Sequence, residues 1–341
     1  MKRTLLSLFV VLFSATLFAQ SADQVGAGPG PGVRYATDAY PGFDPDKDAL
    51  SPERKEKRWF SFINGPKEET SAAQFRYAQS LEVALDWSKA AKAYDALVRE
   101  WPAAPEAARA QTRLAAILFE READLDDAFA EYRYLVDFYS SQCDYRAAVG
   151  RMYEIAGKMR EEGKTILFFR FRNSTEVRRA YECCVLRAPG AIWASEAMLA
   201  IGDLRVEEGD LDEAVQVYEN LQNLYYGTRE AKAALVREAT ARMAILDERD
   251  YNRARVLDTI RFLERAEKTA EGDDLKMVSA SLADLQSRLD DEDFKAAAFY
   301  DSRTRTRRSA IRAYEQFLKD HPASAHAPEA RSRLVELKGE E

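Results

Sequence analysis

An apolar pair recurs along this chain at a fixed inner spacing. Ala90 and Tyr94 lie four residues apart, and Pro102 follows eight residues beyond the tyrosine. Ala128 and Tyr132 repeat the pair, with Ser140 in the proline place. Val177 and Tyr181 repeat it with Pro189, Ala214 and Tyr218 repeat it again, and Ala310 and Tyr314 close the series with Pro322. "DYNRARVLDTI" offers a weaker copy, with Ala254 in the small-residue place and Asp258 where the aromatic belongs. Steps between the alanine-type positions are 38, 49, 37, 40 and 56 residues. A four-residue spacing puts two side chains on one face of a helix. Its return at such a period marks stacked supersecondary units, each unable to bury its apolar face alone.

The clearest copy is "IGDLRVEEGDLDEAVQVYENL", residues 201–221. Gly202 lies twelve residues before Ala214, where a small residue lets two helices cross closely. Gly209 ends the first helix, because glycine readily takes the left-handed conformation a helix stop requires. Ala214 then faces the first helix, Tyr218 fills the gap to the next unit, and a proline breaks the second helix. The spacing resembles the tetratricopeptide repeat, a helix pair of about 34 residues, here with inserted residues. The expected fold is an all-α, right-handed superhelical solenoid of five to six such pairs over residues 71–341.

Composition agrees. The 341 residues hold only 15 Gly and 11 Pro, too few for a turn-rich β fold, and the dominant residues are good helix formers. Two insertions interrupt the period. "EEGKTILFFRFRNS", residues 161–174, is strongly apolar, with Phe168 and Phe169 candidate partner contacts. Residues 263–290 carry Leu282, Leu285 and Leu289 at helical spacing and read as an extra helix.

Ahead of the repeats, Lys2 and Arg3 precede an apolar run from Leu5 to Phe18 and the small residues Ala19, Ser21 and Ala22. That is the pattern of a secretory signal peptide over 1–19, and it places the chain outside the cytoplasm. Residues 20–70 are rich in Gly, Pro and charge and read as a disordered linker, with "RWFSF" at 58–62 as an aromatic exception. The three cysteines, Cys143, Cys183 and Cys184, read as small apolar residues on helices, and none stands where a lipid would be attached after cleavage.

Catalytic signatures are missing. No nucleophile elbow, phosphate loop or dinucleotide fingerprint occurs. "DPDKD" at 44–48 begins like a calcium loop but puts Ala49 where glycine is needed and Lys55 where a bidentate glutamate is needed. His321 and His326 flank a proline turn without a supporting carboxylate pattern, and "LDDEDF" at 289–294 reads as a solvated helix end. No enzyme, cofactor or metal is expected. A net charge of -8 argues against nucleic acid. The sharpest basic cluster, Arg303, Arg305, Arg307 and Arg308 with Arg312 beyond it, reads as a docking patch for an acidic partner domain.

The last unit adds a narrower likeness. "AAAFY", "SAIRAYEQFLKDHP" and "HAPEARSRL" resemble the C-terminal repeat of the BamD family, helical-repeat lipoproteins of the outer-membrane β-barrel assembly machinery. "KAAKAYDALVREWPAAPEAARAQTRLA" in the first two units is similar to that family too, and also to CpoB-like coordinators of the cell envelope. The resemblance implies a periplasmic scaffold at the outer membrane. It would receive unfolded barrel segments and dock on a barrel-forming partner with periplasmic domains. A tetratricopeptide adaptor for cell-wall synthesis or division is the alternative. The lipid-attachment cysteine of the family has no counterpart here. In a repeat solenoid the first helix of each pair lines the groove, and counting from the Ala and Tyr positions brings Phe75, Gln79, Arg113, Tyr153, Leu199 and Asp203 to it. Aromatic and arginine side chains there are natural anchors for a peptide.

Overall fold

The computed structural model describes residues 65–163, 173–248, 252–301 and 307–339. The expected signal peptide, most of the expected linker and the apolar middle of the first insertion fall outside these residues. Among the described residues there are thirteen α-helices and no strand. The chain divides into two compact units at Glu230/Ala231.

The first unit holds α1 (Ser71–Val83), α2 (Trp87–Glu100), α3 (Ala107–Ile117), α4 (Leu125–Phe138), α5 (Tyr145–Gly163), α6 (Ser174–Arg187), α7 (Ala194–Glu208) and α8 (Leu211–Leu224). Each helix packs on the one before it and the one after it. The second unit holds α9 (Arg229–Glu248, which begins two residues before the boundary), α10 (Arg253–Glu267), α11 (Gly272–Asp301), α12 (Arg307–Asp320) and α13 (Ala327–Gly339). The pairs are therefore α1/α2, α3/α4, α5/α6, α7/α8, α9/α10 and α11/α12, with α13 closing the series.

The second helix of each of the first five pairs starts on one pattern. Asp86, Asp124, Asn173, Asp210 and Asn252 stand at the N-caps of α2, α4, α6, α8 and α10. Four of these, all but Asp210, accept a backbone N–H with the side chain, which satisfies a donor the first turn leaves open. The small residue follows four positions later and the aromatic eight positions later. Ala90, Ala128, Ala214 and Ala310 are fully buried, and Tyr94, Tyr132, Tyr218 and Tyr314 are at most 4% exposed.

The same register corrects the fifth pair. Asn252 as cap places Val256 and Ile260, both buried, where Ala254 and Asp258 were expected, and those two residues are exposed. Two β-branched aliphatics thus do the work of the Ala–Tyr pair. The second insertion is corrected as well. No separate helix is inserted: residues up to Glu267 finish α10, and Leu282, Leu285 and Leu289 lie on the 30-residue α11, packed against Val256, Ile260, Phe262 and Leu263.

Gly202 shows why the first helix needs a small residue. A Cβ there would lie within 2.8 Å of the Tyr218 ring. The turn between the paired helices has its own demand. Gly209 takes φ +83°, and the structurally matching Leu85 and Ala123, each just before its cap aspartate, take φ 60° and 52°. Side chains with a Cβ are strained in that region. Gly202→Ala should lower stability by roughly 1–3 kcal/mol through overpacking, while Leu85→Gly and Ala123→Gly should each raise it by about 1 kcal/mol. Urea unfolding of the full chain followed by circular dichroism checks both signs, and a neutral Gly202→Ala would remove the close-crossing explanation.

Candidate functional site

The first helices of the pairs are joined by a recurring trio of tyrosine, carboxylate and arginine. Tyr94 of α2 donates its hydroxyl to Glu82 of α1 at 2.5 Å, and Arg113 of α3 donates to the same carboxylate at 3.1 Å. Tyr218 of α8 donates to Asp203 of α7 at 2.9 Å, and Arg160 of α5 reaches that carboxylate at 3.4 Å. Tyr314 of α12 donates to Asp301 of α11 at 3.2 Å, and Arg333 of α13 grips it at 2.6 and 3.1 Å. At the second pair Glu120 and Arg151 lie 3.5 Å apart beside the buried Tyr132. In three of the four trios the arginine stands nineteen residues after the tyrosine: Arg113, Arg151 and Arg333 after Tyr94, Tyr132 and Tyr314. That spacing was available in the sequence and is the signal the groove count missed.

The trios set local ionisation. Partial burial works to raise the Glu82 carboxyl, but the hydrogen bonds from Arg113 and Tyr94 and the Arg113 charge outweigh it and hold it below the ordinary range. Arg333 does the same for Asp301 more directly, against a smaller burial effect. Burial, helped by Asp301, pushes the Tyr314 hydroxyl up to about 12.

Between α5 and α7 lies a cluster of aromatic and charged side chains. Tyr153 lies flat on Trp193 with ring centroids 4.6 Å apart, and tilts against Tyr181 at 6.0 Å. Its hydroxyl hydrogen-bonds Glu196, and burial with that carboxylate pushes it above the ordinary tyrosine range. One turn along α7 is the half-buried Leu199, then Asp203 with Arg160, then Val206, 40% exposed. Tyr153, Leu199 and Asp203 thus come together, three of the six groove positions counted from the repeat.

The other three do not join them. Phe75 is a core residue, 6% exposed, tilted against Tyr94 at 5.5 Å with the Arg109 guanidinium 4.6 Å over its ring. Gln79 is exposed on α1. Arg113 is held by Glu82. Trp193 and Glu196 belong to the site and were not counted, because α7 begins at Ala194 and the tryptophan sits at its N-cap.

The remaining expectations are divided. Phe168, Phe169, Arg303 and Arg305 lie outside the described residues. Arg307 donates to the Leu337 carbonyl at 2.9 Å and so braces the end of α13, while Arg308 and Arg312 are exposed on α12. The two histidines do have carboxylates, contrary to expectation. His321 lies 2.6 Å from Asp290 and 2.8 Å from Asp293, and His326 lies 2.7 Å from Asp291 and stacks on Phe294 at 4.4 Å. "LDDEDF" is therefore a clasp for the α12–α13 turn, with Leu289 buried on the opposite side. Among the described residues no group of His, Cys, Asp and Glu could hold a metal ion. Cys143, Cys183 and Cys184 are free thiols, the last two buried.

A match to a family model supports the repeat. Residues 72–104 and 196–225 match the tetratricopeptide repeat family. These stretches contain nearly all of α1/α2 and most of α7/α8, so two helix pairs of the chain match the tetratricopeptide repeat, the type of repeat that builds protein-interaction scaffolds. A solved tetratricopeptide repeat protein from Parabacteroides merdae is similar at 14% identity, covering 79% of this chain and 99% of that one, with a TM-score of 0.30. The chain matches no curated protein.

The lowered carboxylates give a pH dependence. Glu82 and Asp301 remain ionised in the fold at a pH where the unfolded chain has begun to bind protons. Their contribution is complete above the unfolded value of about 4 and is lost as pH falls through the lower folded values. Stability should therefore decline between about pH 5 and pH 3, and Glu82→Gln with Asp301→Asn should flatten that decline. Urea midpoints across this range check it, and equal slopes for variant and parent would sink the assignment.

Proposed function

We propose that this chain is an exported, non-catalytic repeat scaffold of outer-membrane β-barrel assembly. In this reading it works from the periplasm, at the inner face of the outer membrane. It binds unfolded barrel segments and a barrel-forming partner with periplasmic domains.

The observation that carries the interaction role is the α5/α7 face. It presents Tyr153, Trp193, Leu199 and Val206 beside carboxylates, on rigid helices of a repeat array. Flat aromatic surface fixed by stacking loses little conformational freedom on binding, which suits it to anchoring a peptide. The setting is supported by the apolar leader at the N-terminus and by the BamD-like sequence of the α11–α13 repeat. No helix among the described residues is long and apolar enough to cross a membrane, so in this reading a protein partner holds the chain at the envelope.

Crosslinking the mature chain in its own envelope and identifying captured proteins by mass spectrometry tests this. A β-barrel protein with repeated periplasmic domains should dominate, and depletion of the chain should lower outer-membrane barrel levels. Capture of cell-wall enzymes with barrel levels unchanged would replace the assembly role with that of a wall-synthesis adaptor.

A further inference from the structure

The α5/α7 face also has a charge preference, which rests on its reading as a binding surface. Glu196, Leu199, Asp203, Val206 and Glu207 recur at helical steps and share one side of α7. Glu196 is exposed and meets the Tyr153 hydroxyl. Glu207 is 53% exposed, with Arg160 at 4.0 Å, beyond hydrogen-bond range. A carboxylate can accept about four hydrogen bonds, so both keep accepting capacity toward solvent.

Three of the four cations on the neighbouring α5 are already engaged, and the fourth, the exposed Arg146, lies about two turns before Tyr153, beyond the Glu196 end of the face. Arg151 pairs with Glu120 and Glu154, Lys158 sits 4.3 Å over the Phe119 ring, and Arg160 is held by Asp203. An anionic ligand would therefore meet carboxylates whose balancing cations are tied into the fold. A cationic one would meet open acceptors. Leu199 and Val206 lie between the two glutamates and supply apolar contact. Eleven helical residues separate Glu196 from Glu207, about 16 Å, a distance an extended peptide covers in about five residues.

We propose that this face docks an extended, cationic segment of a partner protein, with two Lys or Arg side chains about four or six residues apart, so that both point to the same side of the strand, and an aromatic or branched aliphatic residue between them. The cations meet Glu196 and Glu207, and the apolar residue rests on Leu199 and Val206.

The test is fluorescence anisotropy of the full chain with three labelled peptides of equal length. The first has two arginines flanking a Leu-Phe centre. The second has glutamates in place of the arginines. The third keeps the arginines and has a serine centre. The first should bind at least roughly tenfold more tightly than either of the others, and it should weaken as salt rises from about 50 to 300 mM. Glu196→Lys with Glu207→Lys should weaken it by roughly tenfold or more. Glu207→Lys alone spares the Tyr153 hydrogen bond and should weaken it in the same direction.

Equal binding of the acidic peptide would overturn the proposal, as would unchanged affinity in both variants. In either case the scaffold reading stands, because the chain still binds peptides. If no peptide binds while envelope crosslinking still captures a partner, the proposed ligand falls and the scaffold reading again survives. If both fail, the face is not a binding surface.

Discussion

The close crossing of paired helices depends on a tyrosine that lies across a small residue and hands its hydroxyl to an acid. Tyr218 shows all three parts. Its ring occupies the space a Cβ on Gly202 would need, its buried body seals the pair, and its hydroxyl finds Asp203 at 2.9 Å. Without the acid, the hydroxyl would be buried unpaired, at a penalty of roughly 1–3 kcal/mol. The acid needs a charge partner in turn, and an arginine from a neighbouring first helix supplies it. One aromatic side chain thus fixes the crossing within a pair and, through its acid, the stacking of one pair on the next.

Stacking in the first unit is reinforced by buried charge. Arg187 of α6 grips Asp137 of α4 with bonds of 2.8 and 3.0 Å, and Arg133 shares that carboxylate. Glu182 of α6, 1% exposed, sits between Arg178 of its own helix and Arg205 of α7. Such pairs add little net stability over apolar packing, yet removing one partner costs about 3–5 kcal/mol. Their effect is to make a mis-stacked pair expensive. Tyrosines at the ends of two second helices add a neutral version of the same constraint. Tyr139 and Tyr225 each donate to the carbonyl of the proline that ended the previous second helix, Pro102 and Pro189, both at 2.7 Å.

The helix pairs were legible because their rules are local. Ala214, Tyr218, Gly202 and Gly209 each answer to a spacing along one helix or one turn. The fifth pair shows where that fails. Ala254 fits the small-residue place by type, but the cap, Asn252, sets the register, and capping outranks a single alanine that solvent tolerates. The long α11 reads from its sequence as two elements, because an inserted stretch suggests an inserted element. In fact leucines at helical spacing continued one helix without a stop signal. The groove was less legible still. Phe75 counted as groove-facing because its helix lines the groove, but a large apolar ring beside Tyr94 gains more from burial than from exposure. Trp193 escaped because it precedes its helix, and only the packing of α5 on α7 brings it to Tyr153.

The arginines connect architecture to recognition. In the first unit a repeat array with cations on its first helices has the makings of an anion clamp, and Arg113 and Arg151 stand at the right places for one. Each is instead tied to a carboxylate by the arrangement that stacks the pairs, and so lends the surface little positive field. At exposed positions such pairs contribute only about 0–1 kcal/mol each, so their larger consequence is chemical: they neutralise those arginines. The charge that faces solvent on this side of α7 is carboxylate, at Glu196 and Glu207, set beside fixed aromatic and aliphatic surface. The same stacking rule that makes the fold thereby decides the sign of the ligand the fold can hold.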